Sequence, residues 1–385
     1  MILNKTNYPC LYDDGSVEYE NNPRANRFKD LTDFNYWYIE VLYTWRAGND
    51  IIKNFEDFIP EEIFENIKND EQTKLLLYSV EPVNDIVENI YQFITKFGIP
   101  ESKILLMCEL VDINDKVASV ANKYSLSRID TCYASVDEIA ISIQIMLNRS
   151  VFHKLTTLEK KKYDKAFINL NRKWRNHRPL FVGLLCCHDL LDKGYVSLSS
   201  TTDFSYTWPE TVSKFIEAIT DRDIHAILSN NYDKIANIPD LIVDTNDLSV
   251  NPVRLDDFDN TVDFYKNSYF SIVSETCFFE DVGRFLTEKT FKAIAHKHPF
   301  LMISSPRTLA ALRDMGYKTF HPFIDESYDE VEDHLTRMKM LVTETKRLAS
   351  LSETELFEWI DHVKPITEHN FQVLSSKPNF IKHNR

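Results

Sequence analysis

Short, nearly continuous apolar runs alternate with helix-length amphipathic segments along most of the chain, and this alternation restricts the folds open to it. Lys74-Leu-Leu-Leu-Tyr-Ser-Val80 and Lys103-Ile-Leu-Leu-Met-Cys108 read as strands buried on both faces, the usual condition of parallel strands. Between them Ile86, Val87, Ile90, Ile94 and Phe97 recur at helical spacing, and Gly98-Ile-Pro100 ends the pattern. Ser135-Val-Asp-Glu138 is a capping box that predicts a further helix, to Leu147. The series resumes after Thr156-Thr-Leu-Glu159, a second pattern of that kind. Strands are predicted over 166–170, 195–198, 269–274 and 300–304, with helices over 178–191, 287–297 and 308–315. Gly316 stands where a left-handed helix cap belongs. Ser327–Glu330 and Ser352–Glu355 are capping boxes, each expected to open a long helix. Residues 1–30 read as polar and turn-rich, and 34–45, apolar and aromatic, as a buried helix. Such a βαβα series predicts an α/β fold with helices covering parallel sheets. Two Rossmann-like domains are expected, 1–160 and 161–350, facing a central cleft, followed by a helical C-terminal tail, 351–385.

Glycine informs by its scarcity. The seven glycines never fall into a GxGxxG or GxxxxGK[ST] spacing, so neither a dinucleotide fingerprint nor a P-loop is present. A bound phosphate would have to be held by side chains and bare helix N-termini. The net charge of −15 argues against a protein that coats nucleic acid. One basic stretch departs from it: nine Lys and Arg between Lys154 and Arg178 face only Glu159 and Asp164. The longest apolar run, residues 180–187, is too short to span a bilayer, and residues 1–10 lack a secretion signal, so a cytoplasmic protein without a membrane partner is expected. Six cysteines without a CxxC pair read as small buried hydrophobes.

The segment from Ser271 to Thr290 is the most informative. A predicted strand runs into Glu275, a loop carries Arg284, and Thr287 then caps a helix with Glu288 and Lys289 in its first turn. Lysine is electrostatically misplaced at a helix N-terminus unless an anion sits nearby. The residues alone leave two readings open: a phosphate site, with Glu288 free to accept from ribose hydroxyls, or a plain capped helix with a surface ion pair.

The run Ser274-Glu275…Phe285-Leu-Thr-Glu-Lys-Thr-Phe-Lys-Ala-Ile294…His298-Pro-Phe300 resembles the donor motif of fucosyltransferase-like GT-B glycosyltransferases. It also resembles glycosyltransferase-like proteins of tailed bacteriophages and large viruses, over about 271–330, including Leu312-Arg-Asp-Met-Gly-Tyr-Lys-Thr-Phe320 and Ile324-Asp-Glu-Ser-Tyr328. A weaker similarity covers 170–178 and 196–198, and none is seen in 1–150. The resemblance implies a GT-B architecture and transfer of a sugar from a nucleotide-sugar co-substrate, such as a UDP-sugar, to a hydroxyl, without a metal. It implies that Glu288 contacts ribose and that Lys289 and Arg172 contact the diphosphate, with Glu275, Arg284 and Thr287 completing the donor site. The viral likeness together with the basic stretch points to hydroxymethylated cytosine in phage DNA as acceptor, reached in the host cytoplasm, with Trp174, Arg175 and Arg178 as DNA contacts. The alternatives are a glycan or protein hydroxyl, and a noncatalytic nucleotide-sugar-binding or virion protein.

A general base is sought at the mouth of the first domain, where Glu81 and Glu109 each follow a predicted strand. A metal-held diphosphate would need an Asp-x-Asp pair; Asp221-Arg-Asp223 and Asp257-Phe-Asp259 have that spacing, which an acidic chain reaches easily. His296 and His298 read as a helix-end pair favoured by the dipole.

Overall fold

In a computed structural model, the structure describes residues 8–11, 17–20, 35–41, 59, 61–79, 86–133, 156–171, 175–198, 208–239, 241, 255–279 and 283–376. The chain divides into two compact units: unit 1 comprises 1–137, 281–283 and 380–385, and unit 2 comprises 138–280 and 284–379.

Unit 1 is built on a six-stranded sheet. In chain order the strands are β1 (Tyr8–Leu11), β2 (Val17–Glu20), β3 (Asn35–Val41), β4 (Thr73–Ser79), β5 (Ile104–Cys108) and β6 (Asp130–Tyr133), and in space they run β2-β1-β3-β4-β5-β6. Only the β1–β2 pair is antiparallel; β1, β3, β4, β5 and β6 pair in parallel. Helices α1 (Glu61–Asn69), α2 (Ile86–Phe97) and α3 (Ile113–Tyr124) provide the crossovers that parallel strands require. Every residue of β4 and β5 is buried, as their continuous apolar runs predict. Gly98, at φ 63°, ends α2 in the left-handed region, as expected.

Two N-terminal expectations are corrected. Residues 35–41 are not a buried helix but β3, paired to β1 on one side and to β4 along its whole length on the other. A short apolar run fits helix and strand alike; here Tyr36, Trp37, Tyr38, Ile39 and Val41 are the aromatic and β-branched types that fill a pleated surface. The segment taken as polar turn contributes the β1–β2 pair. The helix predicted from Ser135 lies outside the described residues.

Unit 2 carries a four-stranded, wholly parallel sheet in the order β10-β9-β7-β8: β7 (Phe167–Asn169), β8 (Gly194–Val196), β9 (Phe270–Ser274) and β10 (Phe300–Ile303). Helix α4 (His177–Cys187) links β7 to β8. Helices α5 (Trp208–Ala218), α6 (Arg222–Asn230), α7 (Tyr232–Ala236) and α8 (Leu255–Lys266) lie between β8 and β9. Helix α9 (Glu288–Ala295) links β9 to β10, and α10 (Thr308–Asp314), α11 (His334–Leu348) and α12 (Glu353–Ser376) follow. This is a Rossmann-like α/β arrangement. The C-terminal helices belong to unit 2 instead of forming a separate tail. Tyr269, beside β9, donates to Leu348 O at 2.7 Å and meets Trp359 of α12 edge-on.

The capping boxes fare unevenly. Ser352 and Glu355 exchange the expected bonds, Ser352 N to Glu355 Oε2 at 2.8 Å and Glu355 N to Ser352 Oγ at 3.4 Å, and α12 follows. Ser327–Glu330 forms only a 3-10 turn, and α11 opens later, at Asp333, which accepts from Thr336 N. The capping exchange is not made, because Ser327 N and Ser327 Oγ both donate to Asp325 Oδ1, at 3.0 and 2.6 Å, and Asp329 turns to the first N–H groups of α10. No helix follows Thr156, whose hydroxyl donates to His296 O, since Lys160-Lys-Lys162 offers no apolar stripe.

Among the described residues no helix is long and apolar enough to cross a membrane. Asp221, from the first Asp-x-Asp pair, is the N-cap of α6, accepting from Asp223 N and Ile224 N and binding Lys339 at 2.9 Å, so helix capping accounts for the motif. His296 and His298 are buried, and burial pushes both imidazoles down, His298 to about 4. They are neutral, so the dipole does not explain them. His298 instead bridges Ser271 Oγ at 2.7 Å and Ser268 O at 2.9 Å, while His296 stacks on Tyr265.

Candidate functional site

The sheet of unit 2 has a topological switch point. From β7 the chain passes through α4 to β8 on one side; β9 lies on the other side of β7 and leads into α9. The two connections diverge from the carboxyl ends of adjacent strands, which opens a crevice where open α/β sheets bind ligands.

A buried polar ladder ties these strand ends together. Asn169 Nδ2 donates to Ile272 O at 2.8 Å and to Ser274 Oγ at 3.0 Å. Asn171 Nδ2 donates to Asn169 Oδ1 at 2.6 Å, and Asn171 N donates to Ser197 Oγ at 3.0 Å. Three strands are thus cross-linked at the edge of the crevice by side chains whose burial makes each bond costly to lose.

Glu275, the first residue after β9, is 0% exposed. Its carboxylate accepts from Thr287 N at 3.1 Å, Thr287 Oγ1 at 2.6 Å and Thr290 Oγ1 at 2.5 Å. It therefore seats the start of α9 and opposes the positive end of that helix. The expectation that it touches the donor is corrected: with both oxygens engaged inside the protein, it holds the residues around it.

Thr287 is the N-cap of α9, and its Oγ1 accepts from Lys289 N at 3.4 Å and Lys289 Nζ at 2.9 Å. Lys289 Nζ also lies 3.1 Å from Glu288 Oε1, and the two side chains are 26% and 22% exposed, within reach of a ligand. Burial alone would raise the Glu288 carboxyl, but the Lys289 ammonium and its hydrogen bond outweigh it and hold the group below the usual range. Glu288 is therefore an anion at neutral pH.

The first turn of α4 meets the same place. His177 Nε2 lies 2.9 Å from Glu275 O, and Arg178 Nη2 donates to Ser274 O at 3.1 Å and Glu275 O at 3.4 Å. Both residues are buried. Burial, and then the charge of Arg178, push His177 far down, so the ring is neutral. A carbonyl only accepts, so Nε2 carries the proton and Nδ1 presents a lone pair, which has no hydrogen-bond partner among the described residues. Burial and the neighbouring Arg175 lower Arg178 to about 10, which leaves it charged. Its expected role as a DNA contact is corrected, because its guanidinium faces the end of β9 and not solvent.

Arg175 and Arg284 are half-buried, Arg175 just before α4 and Arg284 on the loop leading to α9. Glu109 follows β5 in unit 1 and is half-buried. Glu81, Arg172 and Trp174 lie outside the described residues. The basic stretch is partly consumed internally: Lys160 pairs with Asp361, Lys161 with Glu159, and Lys165 donates to Asp192 O. Among the described residues no group of three or more His, Cys, Asp or Glu side chains is placed to share a metal ion.

Sequence reasoning found Thr287, Glu288 and Lys289 but passed over His177, Asn169 and Asn171. The signal available was Asn169 itself, an amide inside an otherwise apolar strand, since a buried amide must find partners. Comparison with models of known protein families, with curated proteins and with solved structures finds no match.

Proposed function

We propose that unit 2 binds the diphosphate of a nucleotide sugar and that the protein is a glycosyltransferase of GT-B type. The observation that carries this reading is the meeting of Lys289, in the first turn of α9, with the Arg175–His177 turn at a switch point between parallel strands. A lysine ammonium in the first turn of a helix suits a diphosphate, and the carboxylate of Glu288 suits ribose hydroxyls. In sugar transfer the departing nucleoside diphosphate gains negative charge, and fixed cations that meet it lower the barrier. Unit 1 would supply the acceptor side, with Glu109 or Glu81 as the base that takes the proton of the attacking hydroxyl.

The acceptor is proposed as a hydroxyl, with hydroxymethylated cytosine in DNA as its first candidate and glycan or protein hydroxyls next. The burial of Arg178 takes support from the DNA candidate.

Titration with ADP, GDP, CDP and UDP, followed by a nucleotide-sugar hydrolysis and transfer assay with and without hydroxymethylcytosine DNA, tests the reading. Micromolar binding of one nucleoside diphosphate with hydrolysis of its sugar ester is expected. Binding without transfer to any acceptor would leave a nucleotide-sugar-binding protein. No response to any nucleotide would reduce α9 to a capped helix.

A further inference from the structure

The segment that follows β9 carries two phenylalanines in unlike surroundings. Phe278 is 0% exposed and is held on several sides. The guanidinium of Arg337, from α11, lies 4.5 Å from its ring centroid, Arg337 Nη2 donates to its carbonyl at 3.0 Å, and the ring of His177 lies 5.5 Å away. Arg337 is itself buried, and its other bonds run to Val331 O, Glu332 O and His334 Nδ1, so the start of α11 fixes this segment. Phe279, the next residue, is only half-buried. It meets Phe278 edge-on at 5.0 Å, His177 at 6.4 Å and the half-buried His334 at 5.7 Å. One partly exposed phenylalanine needs no explanation. What distinguishes Phe279 is its place, on the loop that Glu275 begins and beside His177, whose ring the charge of Lys289 reaches.

We infer, on the reading of unit 2 as a diphosphate site, that Phe279 with His334 beside it is the nucleobase subsite: the base stacks on the exposed face of the Phe279 ring while the diphosphate meets Lys289. The ribose sets a base off from its phosphates, so a base subsite belongs one ribose away from Lys289 and not next to it. A ring held from behind by Phe278 and Arg337 loses little freedom when a ligand settles on it, which favours binding. A π-face accepts every base, so Phe279 selects nucleotides against pyrophosphate and sugar phosphates without choosing among bases.

Calorimetry with the tightest-binding of the four nucleoside diphosphates, and with pyrophosphate, compares the wild type with Phe279→Leu and Phe279→Trp. Phe279→Leu keeps an apolar side chain and removes the π-face. It is expected to lose roughly ten- to a hundredfold in affinity for the nucleoside diphosphate, the scale of one base–aromatic stack, and to bind pyrophosphate as the wild type does. Phe279→Trp restores a π-face and is expected to bind the nucleoside diphosphate more tightly than Phe279→Leu. Its added indole emission should change with the nucleoside diphosphate and not with pyrophosphate, a signature that a packing role would not give. Wild-type affinity in Phe279→Leu, equal loss for both probes, or an indole in Phe279→Trp blind to the bound nucleotide each overturns the base subsite and leaves the diphosphate site standing. Should Phe279→Leu fail to fold, the emission of Phe279→Trp decides alone. Failure of the wild type to bind any nucleoside diphosphate overturns the diphosphate reading and the base subsite with it.

Discussion

Both sheets hold buried polar groups at both ends of their strands, Thr73 and Ser79 on β4 and Ser271 and Ser274 on β9, but the networks they join differ. In unit 1 those at the strand starts fasten loops: Thr73 Oγ1 donates to Asp70, Lys103 Nζ donates to Asp70 O at 2.6 Å, and Lys74 pairs with Asp130 at 3.0 Å. In unit 2 those at the strand ends join one network, Asn169, Ser274, Glu275 and Ser197, with His177 and Arg178 leaning in from α4. Polar groups at the amino ends of parallel strands fasten loops to a sheet. At the carboxyl ends of diverging strands they line the place where ligands bind. The same chemistry thus reads as support in one unit and as a candidate site in the other, and the difference lies in topology.

The comparison can be broken in four ways. Glu275→Ala has the largest expected effect, because it strips the shared acceptor from Thr287 and Thr290; a loss of 3 kcal/mol or more, by the ~3–5 kcal/mol scale of broken buried charge networks, should appear in denaturant melts together with loss of nucleotide binding. Equal binding with a small stability change would separate the crevice from its proposed support.

Next comes pH. His298 falls to about 4 in the folded protein against an unfolded value near ~6.5, so its contribution is whole above about pH 6.5 and is lost as pH drops towards 4, by up to about 3 kcal/mol. His177 and His296 are lowered too and act in the same direction. Asp329 opposes them: burial raises it to about 6, so the folded protein holds a proton there that the unfolded chain releases, and stability from this group grows on acidification. Asp329→Asn should therefore steepen the acid loss in denaturant titrations between pH 6.5 and 4; a flatter curve would contradict the assignment.

Lys289→Ala is a smaller perturbation of the fold and a direct one of the ligand. Binding of the nucleoside diphosphate should weaken at least ~tenfold, the scale of one charge-assisted phosphate contact, with the melting temperature unchanged. Smallest of all is Lys74→Met in unit 1. Its partner Asp130 is 54% exposed, so stability should move by no more than ~1 kcal/mol, and nucleotide affinity not at all. An affinity change there would show that polar groups at strand starts matter to the site after all.

Much of unit 2 was legible because its signals are local. A continuous apolar run marks β9, a threonine cap marks α9, and Gly316, at φ 91°, marks the end of α10. The reciprocal cap of Ser352 and Glu355 needs only four consecutive residues. What escaped depends on partners remote in sequence. From sequence Glu275 reads as a donor contact and Arg178 as a DNA contact, until the fold brings one to Thr287 and the other to the carbonyls of β9. Strand β3 escaped for a different reason: seven largely apolar residues carry no period that tells strand from helix, and only pairing with β1 and β4 decides.

The bonds from Glu275 to Thr287 span twelve positions and close the intervening chain into a ring fastened at its neck. Whatever the ring carries, its two attachment points stay fixed relative to β9 and α9. Lengthening a closed ring costs little, only about 0.6 kcal/mol for each doubling. The flanks of this ring are held as well, since Cys277, Phe278, Phe285 and Leu286 are buried and Arg337 Nη2 donates to Phe278 O at 3.0 Å, so added residues there would meet packed neighbours and not that low cost alone.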